Sequence, residues 1–145
     1  MYVALFNPTR EEVRRFFCDT WKKKIDNQIL APMEMIASDW MIQHPEYHTL
    51  LLNPENAVEQ DYTPERGETN PFLHLSMHLS ISEQVSIDQP PGIKAISAQL
   101  WKKLGTEHES QHAIMECLGQ VMWETQREGQ PLSPERYLEA LKKLV

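Results

Sequence analysis

Helix-start signals recur along this sequence of 145 residues and constrain its fold more than any other feature. Four of them place proline directly after a capping or small residue: Ala31-Pro32, Asn53-Pro54, Asn70-Pro71 and Ser133-Pro134. Proline suits the first helical turn, because its missing N–H would have no partner there and its φ is already helical. Two further starts, Thr9 with Glu12 and Thr106 with Glu109, have the spacing of a capping box. These signals predict a chain of successive helices.

Apolar residues at helical spacing fill the stretches between these signals. Six predicted helices cover, in chain order, residues 9–26, 31–44, 71–87, 93–105, 106–127 and a last segment from 133, and a short helical segment from 53 adds to them. An apolar lead-in over 1–6, a turn over 44–48 and a polar loop over 60–68 separate or precede them. Alternating strand patterns of useful length do not occur. We therefore predict an all-α fold, a compact helical bundle of five to six helices in a single domain over residues 1–145.

Composition narrows the classes of protein to which the chain can belong. A hydrophobic content of 41% and a charged content of 24% are those of an ordinary soluble globular protein. The net charge of −7 disfavours binding to nucleic acid or to an anionic membrane surface, because phosphate contacts dominate such affinity. The sequence lacks the roughly 18 consecutive apolar residues of a membrane span and the features of a signal peptide. We therefore expect a cytoplasmic protein.

Two histidines occupy the apolar face of the helix predicted over 71–87. At about 100° per residue, His74 and His78 share one stripe with Ile81 and Val85. Both imidazoles should therefore be largely buried.

A second pair, His108 and His112, has the same spacing in the helix predicted over 106–127, and Glu116 continues its stripe. Four imidazoles, or three with a carboxylate, suit a divalent transition metal such as Zn²⁺, Fe²⁺, Ni²⁺ or Mn²⁺. We predict a metal site between these two helices, with the ligands His74, His78, His108, His112 and Glu116. An open position on such a metal could activate water.

Structural roles compete with this interpretation. A buried neutral histidine can satisfy both ring nitrogens with carbonyl, hydroxyl, amide or carboxylate groups. His44, near a predicted helix end, is expected to complete the helix dipole rather than bind metal. The four tryptophans and seven methionines are expected in the core, as are the thiols of Cys18 and Cys117. An exposed Trp and Met cluster would favour the alternative function, a non-enzymatic adaptor or a homodimer.

Two long motifs carry a resemblance to a known family. The stretches NPFLHLSMHLSISEQVSIDQPPGI and EHESQHAIMECLGQVMWETQR resemble a family of small bacterial proteins known as domain of unknown function 1841. FNPTREEVRRFF and SDWMIQHPEYH resemble it too, so that the likeness spans nearly the whole chain. The resemblance implies a bacterial cytoplasmic protein. It brings no activity and no assigned site, and whether the chain is an enzyme stays open.

Overall fold

Regular structure is entirely helical in the residues that this computed structural model describes, 9–62 and 70–145. The all-α class is therefore confirmed. Eight α-helices and one 3-10 helix follow one another along these residues: α1 (Arg10–Ile25), α2 (Pro32–Ile42), the 3-10 helix (Pro45–Tyr47), α3 (His48–Leu51), α4 (Pro54–Glu59), α5 (Pro71–Ile87), α6 (Ile93–Leu104), α7 (Glu107–Arg127) and α8 (Pro134–Lys142).

Side-chain caps explain why four of the helices, α1, α5, α7 and α8, begin where the sequence predicts. At α1, the Thr9 hydroxyl accepts a hydrogen bond from the Glu12 N–H at 3.1 Å, and a Glu12 carboxylate oxygen accepts from the Thr9 N–H at 3.4 Å. At α5, Asn70 Oδ1 accepts from the N–H groups of Phe72 and Leu73 at 3.0 and 3.1 Å. Each bond satisfies a backbone donor that a helix start would leave without a partner. Side-chain oxygens also cap the starts of α7 and α8, at Thr106 and Ser133.

The predicted number of helices, five to six, is wrong because the segment before α4 is more helical than expected. Residues 44–48, predicted as a turn, instead wind into the 3-10 helix and run on into α3. Pro45 favours this, since its fixed φ suits a first helical turn. Helices of three and four residues are too short to show a hydrophobic period in the sequence.

The chain divides into two compact units, which we describe separately. Unit 1 ends at Leu79 and unit 2 is Ser80–Val145, so that α5 contributes residues 71–79 to the first and 80–87 to the second. The single domain predicted over residues 1–145 stays a prediction. The lead-in predicted over 1–6 lies outside the described residues, as does the loop predicted over 60–68 from residue 63 onward.

Unit 1 is built around α1, which packs against α2 and α4. Its buried apolar side chains form one cluster, made of Phe17, Cys18, Trp21, Ala37, Trp40, Met41, Leu51, Ala57, Phe72, Leu75 and Leu79. The guanidinium of Arg14 is also buried and donates to the carbonyl oxygens of Ala57 and Gln60, at 2.9 and 2.6 Å. Those carbonyls stand at the C-terminal end of α4, where the Arg10 guanidinium also donates to the Gln60 carbonyl, at 2.7 Å, so that two arginines of α1 supply partners to this helix end.

Unit 2 is formed by α6, α7 and α8, which contact one another, and by the last residues of α5. Its buried apolar side chains include Ile81, Ile93, Leu100, Ile114, Leu118, Val121, Tyr137 and Leu141. The Tyr137 hydroxyl donates to Gln84 Oε1 at 2.8 Å, and the Ser110 hydroxyl donates to the Ser97 carbonyl at 3.1 Å. None of the helices described here is both long and apolar enough to cross a membrane.

The prediction that tryptophan lies in the core is right for two residues and wrong for two. Trp21 and Trp40 are buried in unit 1, whereas Trp101 and Trp123 of unit 2 keep 48% and 53% of their surface exposed. The Arg127 guanidinium lies 4.7 Å from the centre of the Trp123 ring. This cation–π contact stabilises an indole at the surface without burying it.

Candidate metal centre

Two histidines of unit 1, His44 and His74, each bring Nε2 close to the Nε2 atom of a third, His78. His44 follows the end of α2, and His74 and His78 lie on α5. The Nε2 atom of His78 is 3.2 Å from that of His44 and 3.2 Å from that of His74. His78 is fully buried, 3% of His44 is exposed, and His74 is half-buried. The cluster thus has two enclosed imidazoles and one that reaches the surface.

Helix geometry and a tight turn hold these rings in place. Residues four apart share a helix face, and the ring centres of His74 and His78 are 4.7 Å apart with their planes at 80°. The His44 N–H donates to the Met41 carbonyl at 3.1 Å, and the His44 carbonyl accepts from the Tyr47 N–H at 3.0 Å. The turn therefore directs the His44 ring toward the face of α5 that carries the other two.

Stacking against aromatic side chains fixes the orientation of two of the three imidazole rings. Trp40 stacks on His78 with ring centres 4.1 Å apart and planes within 10°. Tyr47 stacks on His44 with ring centres 5.2 Å apart and planes within 12°. Because stacking covers the faces of the imidazoles, it leaves their nitrogen-bearing edges for polar contacts.

The carboxylate of Glu46 determines which nitrogen of His44 carries a proton. Its Oε2 atom lies 3.0 Å from His44 Nδ1, and this hydrogen bond lowers the pKa of the Glu46 carboxyl. A carboxylate can only accept, so Nδ1 must carry the hydrogen. In neutral His44 the Nε2 atom then presents a lone pair to His78.

Hydrogen bonding between neutral imidazoles accounts for only one of the two Nε2 contacts of His78. A ring nitrogen has either one N–H or one lone pair, directed outward in the ring plane. If His78 Nε2 donates to the lone pair of His44, the same hydrogen is not also aligned with His74. If it accepts instead, two donors compete for one lone pair, and His44 would have to be doubly protonated. A cation in reach of the three rings could accept a lone pair from each of them.

The two Nε2 separations around His78 fit a transition metal. Ligands at roughly 2.0–2.1 Å from a tetrahedral ion lie about 3.3 Å from one another. The two measured Nε2 separations, both 3.2 Å, agree with that distance. Imidazole nitrogen suits Zn²⁺, Fe²⁺ and Ni²⁺, so the donor set fits the predicted class of cofactor.

The other predicted ligands lie on α7, in unit 2. His108 and His112 are half-buried, with ring centres 4.1 Å apart, and each offers a ring nitrogen within 4.8 Å of the other's. Glu116 is exposed one turn further along the helix. The predicted site that joins this set to His74 and His78 involves both units, and it stays a prediction.

Sequence reasoning identified two of the three clustered histidines and missed the third. His78 is buried as predicted, whereas His74 is only half-buried. His44 was assigned to the helix dipole, yet its ring lies against His78. The sequence does carry a signal here, because two histidines, His44 and His48, lie close to Pro45 and follow Trp40 within eight residues. It does not distinguish the two histidines, and His48 instead stacks on Trp21, with Nε2 2.8 Å from the Met41 carbonyl.

Both cysteines are free thiols with little reactivity. Burial raises the pKa of Cys18 to about 11, and burial together with the nearby Glu116 raises the pKa of Cys117. Thiolates, not thiols, act as nucleophiles and metal ligands, so a raised pKa disfavours both roles for these two cysteines.

Comparison with known proteins gives one match. The family described as a domain of unknown function, DUF1841, matches residues 9–143. Searches of curated proteins and of solved structures found no match. The match covers every histidine discussed above and supplies no activity for them.

Proposed function

We propose, from the premise that this chain belongs to the DUF1841 family, that it binds a divalent transition metal ion through His44, His74 and His78. Two Nε2 separations of 3.2 Å, from His78 to His44 and from His78 to His74, carry the proposal. A bacterial source and a cytoplasmic location, both implied by the family resemblance, are part of the same proposal.

Three imidazole ligands leave a coordination position for a further group. Sites with three protein ligands and one open position are typical of catalytic zinc, where the ion lowers the pKa of a bound water molecule. The exposed part of His74 provides the side from which a small molecule could approach. Metal-assisted hydrolysis is therefore the reaction class that we put first.

The histidines of α7 extend the proposal. On the sequence argument, His108 and His112, with Glu116, donate to the same ion as His74 and His78. Substitution of His112 distinguishes the site with three histidine ligands from the site that also uses α7. Metal binding should weaken in this variant only if the ligands of α7 share the ion.

Metal uptake by the untagged protein tests the proposal. After dialysis against a chelator, the chain should take up about one equivalent of Zn²⁺ or Ni²⁺, and His78→Ala should take up almost none. An ion at a hundred times its dissociation constant stabilises the folded state by about 2.7 kcal/mol. For a chain of this size, the melting temperature should therefore rise by roughly 5–10 °C.

His48→Gln is the matched control, because His48 is a partly buried histidine of the same unit whose nitrogen bonds a carbonyl instead. This variant should keep full uptake. His74→Gln provides a second loss-of-binding variant at a half-buried position, in case His78→Ala does not fold. Less than a tenth of an equivalent bound by the wild type after metal titration would contradict the proposal.

A further inference from the structure

We infer that Glu46 is a positioning residue for the metal ligand His44, acting through the ring nitrogen that does not face the ion. The inference rests on the proposed metal centre. Its observation is separate, namely the 3.0 Å contact between Glu46 Oε2 and His44 Nδ1. Histidine ligands of metals commonly donate their second ring N–H to a carboxylate, which orients the ring and raises its basicity.

The backbone between the two residues makes this contact well defined. Glu46 is the second residue of the 3-10 helix that begins directly after His44. Pro45 fixes φ within the link, and the bond from the Tyr47 N–H to the His44 carbonyl closes the turn at 3.0 Å. The stacked Tyr47 ring then limits rotation of the imidazole. The same short segment thus presents the ring and the carboxylate that directs it.

The carboxylate has two separable effects on His44. As an acceptor, it keeps the hydrogen on Nδ1 and so keeps the Nε2 lone pair available. As a charge, it makes that lone pair a stronger donor to a cation. A glutamine at position 46 can retain the first effect through its amide oxygen but loses the second, and an alanine loses both.

Exposure of Glu46 makes it suitable for substitution. Its side chain is 57% exposed, so removing it leaves no buried cavity. An exposed ion pair contributes little to stability, with a median below about 1 kcal/mol. We therefore expect Glu46→Gln and Glu46→Ala to fold and, in their metal-free forms, to melt close to the wild type. Glu59→Gln, at an exposed position on α4, is the matched control for loss of one surface carboxylate.

The experiment measures the Zn²⁺ dissociation constant of the full chain and its variants by competition with a chromophoric chelator. Loss of a carboxylate partner typically costs 10–100-fold in metal affinity, which we expect for Glu46→Ala. Glu46→Gln should fall between Glu46→Ala and the wild type, and Glu59→Gln should match the wild type. In the Co²⁺-loaded protein, a shifted proton NMR signal from the His44 N–H should persist in the wild type and in Glu46→Gln. It should broaden through solvent exchange in Glu46→Ala.

The outcomes separate this inference from the proposed function. If the wild type binds neither Zn²⁺ nor Co²⁺, the metal centre is wrong and the inference falls with it. If the wild type binds Zn²⁺ and Glu46→Ala binds it equally well, the inference alone is overturned. It is also overturned if Glu46→Ala lowers the melting temperature of the metal-free protein as much as that of the Zn²⁺-bound protein. Equal losses would show that Glu46 stabilises the fold rather than the metal site.

Discussion

On the ring of His78, three different contacts meet. The Trp40 indole covers one face at 4.1 Å, and the Nε2 edge lies 3.2 Å from both His44 and His74. Because the His78 ring is fully buried, its contacts with Trp40 and His44 are shielded from water, and the contact with half-buried His74 is shielded in part. A metal ion bound at this edge would therefore sit one ring away from an indole.

Tryptophan fluorescence should report metal binding through this stack. Cu²⁺ and Ni²⁺ quench an indole at short range, so either ion should lower the emission of the wild type in proportion to occupancy. Trp40→Phe should lose most of the metal-dependent change while still binding the ion. The measurement is a fluorescence titration, paired with direct metal analysis of each sample.

Trp21→Phe is the control for that titration, since Trp21 is equally buried but stacks on His48. It should keep the quenching. Equal quenching in Trp40→Phe and in the wild type would place the bound ion away from His78.

At this scale the sequence predicts part of the site. The pair His74 and His78 follows from helical spacing alone, because residues four apart on a helix are neighbours whatever the rest of the fold does. His44 becomes their neighbour only through the turn after α2 and the packing of unit 1. A contact of that kind depends on the tertiary fold, and one sequence read alone does not contain it.

At the scale of the helices, Glu34 links α1 to α2. It caps the start of α2 and forms an ion pair with a lysine of α1. Glu34 lies in the first turn of α2, where its Oε1 accepts from the Ala31 N–H at 2.8 Å. Its Oε2 lies 2.8 Å from the Lys23 ammonium in the last turn of α1. The Lys23 bond and the Ala31 bond together lower the pKa of the Glu34 carboxyl.

This lowered pKa gives a prediction with a definite sign. A carboxyl whose pKa is lower in the folded state stabilises the protein above its unfolded pKa of about 4.3, and this stabilisation is lost as pH falls through the folded pKa. Glu34→Gln should therefore melt below the wild type at pH 6–7, by roughly 2–4 °C if the lost charge, at a helix N-terminus and beside Lys23, is worth about 1 kcal/mol. Below about pH 4 the difference should shrink toward zero.

Thermal melts of both proteins between pH 2.5 and 7 make the comparison. Lys23→Met serves as the control, because it removes the ion pair and leaves the cap. A difference between wild type and Glu34→Gln that stays constant across this range would show that Glu34 does not act through its charge.

Helix boundaries were predictable to within about two residues where a cap or a proline marks them, as at the end of α2, predicted at residue 44 and found at Ile42. The ends of α5 and α7 fall where the sequence places them, at Ile87 and Arg127. The 3-10 helix and α3 were not predictable, because one helical turn and a turn of another type have nearly the same local sequence preferences. Their geometry is decided by what they pack against.

For the molecule as a whole, the number of metal ions bound per chain distinguishes two hypotheses: a metal centre within one chain, and a protein that acts through contacts between chains. All three proposed ligands belong to one chain, whereas the half-exposed Trp101 and Trp123 would serve contacts between chains. Unit 2 also has a groove of about 690 Å³ between α7 and α8, with Val121 and Ala140 in its lining. An adaptor or a homodimer would use surfaces of this kind.

We expect one ion per chain at every protein concentration, measured by native mass spectrometry and checked by light scattering. Replacing both exposed tryptophans, Trp101→Ser with Trp123→Ser, should reduce any self-association and leave metal uptake unchanged. One ion per two chains, or uptake that disappears on dilution together with a dimer, would show that copies of the chain share the ligands.

The stability of the short helix α4 depends on the buried guanidinium of Arg14, which belongs to α1. With six residues, α4 is far below the roughly 12–15 residues at which an isolated helix becomes marginally stable. The carbonyls of Ala57, Val58 and Gln60 at its end are held by Arg14 of α1, at 2.9, 3.2 and 2.6 Å. We therefore expect local opening of α4 to require withdrawal of Arg14, so that the free energy of this opening depends on α1 as well as on the helix that opens.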